Sequence, residues 1–348
     1  YKACEKQSPQ TNSKIVMGPW YHGQWSDEGS YLGNIRFGSN TSDWYQRNIE
    51  IPFFNYHLKS KGDISQLAEA NIFFTGENTW KKFEQWPPKN VVNKDLFLSS
   101  NGKASFTAIV PAAANDTPQT IGDKIRSVSD KISAVLTPGK SSSNYSEYLS
   151  DPAHPVPYTE DVHEKRTREY MTDDQRFASR RPDVLTFETE LLNADITLAG
   201  PVIAELLTSI STTDADFVVK LIDVFPDDFK YDDSIKGDEK NYPMGGYELL
   251  VRAEIMRGKF RNSFEKPEPF VPFKITKVRY ELPDVAHTFK KGHRIMIQVQ
   301  STWFPLADRN PQKFTDIYKA DEKDFQKAVI RIYHDGINAS KIILPVLQ

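Results

Sequence analysis

The chain has 348 residues, of which 39% are hydrophobic and 26% charged, with a formal net charge of -3. These are globular proportions; the small negative charge provides no basic field for nucleic acid, and no apolar run approaches the ~20 residues of a membrane span. A single cysteine, Cys4, excludes a disulfide within the chain and a cysteine-rich metal site, while the length suggests two domains at roughly 150 residues each.

Tyr1 to Glu5 reads as the tail of a helix already under way, closed by a turn at Ser8-Pro9. With no signal-like basic and apolar pattern, this start is expected to lie mid-domain. Lys14 to Met17 is the first strand candidate, and Gly18-Pro19 stops it. His22 then falls on a loop just past a strand end, between Trp20, Tyr21 and Trp25. Rigidly held loops carry catalytic side chains, and imidazole is the side chain suited to moving protons near neutral pH. By itself a loop histidine is more often structural than catalytic.

Downstream, Thr41 or Ser42 is expected to cap a helix whose Trp44, Ile51, Phe54 and Leu58 form one apolar stripe ending before Gly62. Pro52 should kink or divide it. Ala70 to Thr75 is a strand, Glu77-Asn78 turns the chain, and Trp80 and Trp86 are spaced to clamp a surface loop. Aromatic pairs can bind sugars, but packing is the commoner use. Pro87-Pro88 marks a domain boundary.

From Asp95 the pattern is strand after strand. LFLSSNGKASF is a hairpin turning at Asn101-Gly102, whereas the polar run 111–150 reads as loop and DPAHPVPY as extended chain, with His154 a loop residue. Asp183 to Leu207 reads as two strands divided by Gly200-Pro201. Asp216 to Phe225, Tyr247 to Met256, Arg279 to Leu282, Arg294 to Gln300 and Ala328 to His334 continue the series. His287 and His293 are placed in an exposed loop, and His57 and His334 on helix and strand surfaces. Many strands with few helical patterns between them predict an antiparallel sandwich, and the long connections favour a jelly roll.

No Gly-x-Ser-x-Gly elbow, P-loop, dinucleotide fingerprint or His-Glu-x-x-His zinc helix occurs in the sequence. Asp214 and Asp216 fall short of the six to eight oxygens calcium takes, and read as a turn leading into a strand. No metal or organic cofactor is expected.

The ordered set GPWYHG, WPP (86–88), DPAHPVPY, RPDVLTFET (181–189), LAGPV (198–202), TDADFVVKLIDV and LPDVAHTFKKGHRIMIQVQSTWFP resembles the C-terminal portion of the α-amino-acid ester hydrolases. The wider group comprises Xaa-Pro dipeptidyl-peptidases, cocaine-esterase-like hydrolases and some glutaryl-7-aminocephalosporanic acid acylases, and the match runs from Lys14 to the end.

This resemblance implies an α/β-hydrolase domain ending within residues 1–85 and a jelly-roll β-sandwich over 86–348. It implies that His22 is the triad histidine, which follows the serine and the aspartate in this fold's chain order. The nucleophile, its aspartate and the oxyanion groups have no counterpart in the sequence, so this polypeptide alone is expected to be inactive. A missing N-terminal hydrolase half, on the same precursor or a companion chain, is the implied partner, beside a small ester or amide substrate. Neither nucleic acid nor membrane is expected; homo-oligomerisation is left open, and the resemblance is compatible with a periplasmic or secreted protein. The competing reading is a non-catalytic jelly-roll binding module, for instance for carbohydrate.

Overall fold

The structure is a computed structural model that describes residues 1–8, 10–108, 144–235, 242–334 and 339–348. It begins with helix α1 (Lys2–Gln7), closed at Ser8; Pro9, the other half of the expected turn, lies outside the described residues. Strand β1 (Ile15–Met17) is followed by a small hairpin, β2 (Tyr31–Leu32) and β3 (Ile35–Arg36).

The expected helix forms over 41–59, but its cap is Asn40, whose side chain accepts a hydrogen bond from the Asp43 backbone N–H, rather than Thr41 or Ser42. Pro52 does divide it. Helix α2 (Thr41–Tyr45) opens into a π-helical turn over 46–50 before α3 (Ile51–Lys59) resumes. Proline has no N–H to continue the ladder, and its ring crowds the carbonyl four residues back, so the preceding turn widens. The apolar stripe is largely unburied: Ile51, Phe54 and Leu58 are exposed, while Ile49 is the buried position.

Strand β4 (Ala70–Phe74) pairs parallel with β1 and antiparallel with β5 (Thr79–Phe83), giving a three-stranded sheet with β1 at its edge. The segment around Trp80 is therefore a strand. Trp80 stacks on Trp44 at 4.4 Å and Trp86 is buried, so both tryptophans are packing residues.

The remaining strands form a mainly β body. They are β6 (Val91–Ser99), β7 (Lys103–Ser105), β8 (Tyr145–Ser150), β9 (Leu185–Glu188), β10 (Ile196–Ile210) and β11 (Asp216–Val224). They continue with β12 (Glu248–Arg257), β13 (Thr276–Phe289), β14 (Arg294–Gln300), β15 (Ala328–Tyr333) and β16 (Lys341–Leu347). Hydrogen bonding follows β12-β11-β14-β9-β7-β6-β16-β10-β15-β8, with β13 on the other side of β10. This path folds into a β-sandwich. Phe217, Val219 and Leu221 of β11 and Ile295, Ile297 and Val299 of β14 meet Ala204 and Leu206 of β10 and Val278 and Leu282 of β13. Each such side chain contributes about 1.5–3 kcal/mol by leaving water.

The opposite face of β11 is buried too, with Val218 and Ile222 under Tyr158 and Trp303, which is why DFVVKLIDV is nearly continuous apolar sequence. The hairpin at Asn101-Gly102 has both residues at positive φ (60° and 69°), the conformation its turn demands.

Three expectations need correction. Gly200-Pro201 does not divide two strands: β10 runs through it with a bulge between Gly200 and Val202, and the break lies between β9 and β10. Residues 145–150 are not loop but β8, paired with β15; the rest of that expected loop, 111–143, lies outside the described residues. His287, His293 and His334 are buried, His287 within β13 itself. Among the described residues, no helix is long and apolar enough to cross a membrane.

Candidate functional site

His22 sits five residues past the end of β1, on a short turn that the interior of the molecule holds rigid. Gly23 takes a left-handed conformation (φ +94°), which bends the chain directly after the histidine. Buried Gln24 then organises the loop from inside. Its amide donates to the carbonyls of Glu28 (2.9 Å) and Tyr31 (2.8 Å), and its oxygen accepts the Tyr21 N–H (3.2 Å).

Helix α2 locks the other side. Thr41 accepts from the Trp20 indole (2.8 Å) and donates to the Gly29 carbonyl (2.7 Å); Ser42 donates to the Gln24 carbonyl (2.8 Å). Gln46 donates to the Trp25 carbonyl at 2.8 Å. These bonds from buried Gln24, Thr41 and Ser42 tie the loop to the interior.

His22 itself is exposed, touching the edge of Trp25 with ring centroids 5.4 Å apart. Among the described residues, no carboxylate or hydroxyl hydrogen-bonds to its ring. The imidazole is thus exposed, with neither a nucleophile nor an orienting acid bonded to it among the described residues.

The sandwich supplies the neighbouring wall. Arg168 lies over the Tyr21 ring, 4.7 Å from its centroid, and the Thr172 hydroxyl donates to the Leu32 carbonyl at 3.3 Å. Tyr247 fixes that wall from within the sandwich, its hydroxyl donating to the Thr172 carbonyl at 2.7 Å. Between the two walls lies a cavity of about 220 Å³ whose lining includes Tyr21, Tyr31, Asp27, Glu28 and Glu169. The sequence placed His22 on its loop and named Thr41 and Ser42 only as helix caps; the parts that Gln24 and Arg168 play were not read from it. A lone glutamine and a lone arginine leave no periodic signal, though Asn40 three residues before Asp43 was a readable cap.

A second polar cluster, also missed, joins the N-terminal sheet to the sandwich. Asp223 of β11 is fully buried between His287 Nε2 (3.1 Å) and His293 Nδ1 (2.8 Å), and His287 Nδ1 meets the Thr75 hydroxyl at 2.8 Å. Burial alone would raise the Asp223 carboxyl, but the hydrogen bonds from the two histidines outweigh it and hold its pKa below the ordinary carboxylate value. Alternation was the available signal: Val285, His287 and Phe289 share one face of β13, and that face is core. His154 is an exposed loop residue beside Asp151, and His57 is exposed. Asp214 and Asp216 are buried; Asp216 opens β11 and pairs with Arg257 (3.2 Å).

The chain matches, over residues 63–343, the family described as the X-Pro dipeptidyl-peptidase C-terminal non-catalytic domain. It is 27% identical over 340 residues to the cocaine esterase of Rhodococcus sp. (strain MB1 Bresler), covering 97% of this chain and 52% of the esterase. Among solved structures, it resembles an aminopeptidase from the marine sediment archaeon Thaumarchaeota archaeon (TM-score 0.83, 34% identity, 100% of this chain and 52% of that one). It also resembles an α-amino acid ester hydrolase (TM-score 0.81, 35% identity, 99% and 52%). The chain thus spans about half the length of the relatives it matches.

Proposed function

Because the chain belongs to the family of X-Pro dipeptidyl-peptidase C-terminal non-catalytic domains, we propose that it is the C-terminal part of a serine ester or amide hydrolase of the α-amino-acid ester hydrolase type. In that reading residues 1–85 are the end of the α/β-hydrolase domain and 86–348 a jelly-roll sandwich. His22 is the triad base: it takes the proton of a serine hydroxyl supplied by the N-terminal half and returns it to the leaving alcohol or amine. Substrates would be small acyl compounds.

The observation that carries this reading is the contrast between an exposed imidazole and the internally hydrogen-bonded loop that bears it. A purely structural histidine would be expected among those internal bonds. The N-terminal half would cover the open edge of β1 and the exposed apolar side chains of Met17, Ile51, Phe54 and Leu58. The chain by itself would not turn over substrate, lacking a hydroxyl for His22 to activate.

The test uses the full-length protein and p-nitrophenyl esters. His22→Ala should lower turnover by roughly 10³-fold or more while leaving thermal unfolding unchanged, since the side chain is exposed. Undiminished turnover in that variant sinks the assignment. Ester turnover by the present chain alone, or micromolar glycan binding without esterase activity in the full protein, would overturn the wider reading.

A further inference from the structure

A cavity of about 270 Å³ lies between the N-terminal segment and the sandwich, with Gly18, Pro19 and Trp20 in its lining. Trp20, Ile72, Phe73, Leu249 and Val285 give it an apolar body. Polar groups gather in part of its lining: Arg252, Asp284, Thr75 and His287.

Two of these are held as a pair. The Trp86 indole donates to the Asp284 carboxylate at 2.6 Å, and the Arg252 guanidinium donates to the Asp284 carbonyl at 2.8 Å. Arg252 is nonetheless under-satisfied: its Nε–H is buried and, among the described residues, has no acceptor. A buried N–H without an acceptor costs about 1–3 kcal/mol, a penalty that an oxygen-bearing ligand would relieve through a small shift of the guanidinium.

We propose that this cavity is a binding site for a small uncharged aromatic molecule bearing one carbonyl oxygen. An apolar cavity of ~150 Å³ holds a benzene, so this one has room for a substituted ring. The Arg252 guanidinium bonds the Asp284 backbone carbonyl, while the Asp284 and Glu254 carboxylates add negative charge around it, so a ligand carrying its own negative charge would meet repulsion as well as loss of solvation. The carbonyl faces Arg252 and the ring packs between Trp20 and Leu249. The site makes no use of the His22 assignment, but Met17 in its lining is one of the side chains the N-terminal half would cover, so it is tested on the full-length protein.

Acetophenone is the probe, with toluene and benzoate as comparisons, followed by indole fluorescence and by methyl chemical shifts. Acetophenone should saturate with a Kd below ~1 mM, moving the methyl signals of Ile72 and Val285; benzoate should bind at least tenfold more weakly. Arg252→Met should weaken acetophenone about tenfold and leave toluene unchanged, and Leu249→Trp should abolish both. If either variant fails to fold, the methyl shifts and the ligand ranking in the unmodified protein decide. Absent saturation, shifts confined to other methyls, or benzoate binding as well as acetophenone overturns the proposal.

Discussion

Arg168 lies over the face of Tyr21, the residue immediately before His22, with its guanidinium carbon 4.7 Å from the ring centroid. A residue of the sandwich thereby steadies the loop of the N-terminal segment. Exposed cation–π contacts are worth about 0.5–1 kcal/mol. Arg168→Ala should lower the unfolding free energy by about that amount and speed amide hydrogen exchange over residues 21–26. Arg168→Lys, which keeps a charge above the ring, should retain part of the protection. Exchange at 21–26 that is unaltered by the alanine change would show that the loop is held by Gln24 and α2 alone.

Gly76 is where the small sheet is sewn to the sandwich. The Thr288 N–H donates to the Thr75 carbonyl (2.9 Å) and the Thr75 N–H to the Ala286 carbonyl (3.2 Å). Gly76 has φ +80°, and a Cβ there would lie 2.1 Å from the Thr288 carbonyl oxygen. Gly62 has nearly the same φ, +83°, with nothing within 4 Å. Gly62→Ala therefore suffers backbone strain only, about 1 kcal/mol, whereas Gly76→Ala adds a backbone clash and should cost about 2–3 kcal/mol. Urea unfolding of both variants measures the difference; equal costs would show that the seam yields freely.

The strands of the sandwich were legible because burial writes a period of two into sequence, and so was the division of the helix at Pro52, a property of one residue's chemistry. What escaped reading was set by partners distant in sequence. The pattern around Trp80 looked like a loop clamp because its strand partner is defined by β4 and its stacking partner is Trp44, on a helix. Gly200-Pro201 looked like a stop, yet strands on both sides of β10 carry the chain through a bulge. The loop position of His22 could be read from Gly18-Pro19 at the strand end, but the bonds that hold the loop could not, because buried hydroxyl and amide groups follow no period.

Asp223 ties the two layers together where the hydrophobic core ends, accepting from His287 and His293 while almost fully buried. Its folded pKa is depressed, so the stability it contributes is complete above the ordinary carboxylate value of 3.8 and is lost as pH falls through the folded value. Asp223→Asn keeps the shape but leaves two buried rings without their anion. The expected loss at pH 7 is about 1–3 kcal/mol, that of a buried group left without its partner, and the acid limb of the stability curve should flatten. Urea melts between pH 3 and 7 check both; an unaltered acid limb would show that another carboxylate governs it.

Lys220 is the sharpest pH reporter. It is fully buried on the outer face of β11, donating to Gln175 Oε1 at 2.8 Å, with Phe177 and Trp303 each 5.7 Å away. Burial lowers its pKa to about 7 from 10.5, against a smaller opposing pull from Glu248. Below pH 7 the amine is charged in both folded and unfolded chains, so the full cost of burying the charge is present. Between 7 and 10.5 the unfolded chain binds more protons, so stability rises with pH, and above 10.5 the cost is gone. Lys220→Met should therefore be more stable than the parent by roughly 1–4 kcal/mol at pH 6, with the gap closing towards pH 10.5. Glu248, raised by burial to about 7 from 4.5, gives the mirror image: Glu248→Gln should gain most above pH 7 and nothing below 4.5. Urea unfolding at pH 5, 7 and 9, with exposed Lys94→Met as control, separates the two. A gap for Lys220→Met that stays constant with pH, or widens as pH rises, would show that the buried amine remains charged throughout.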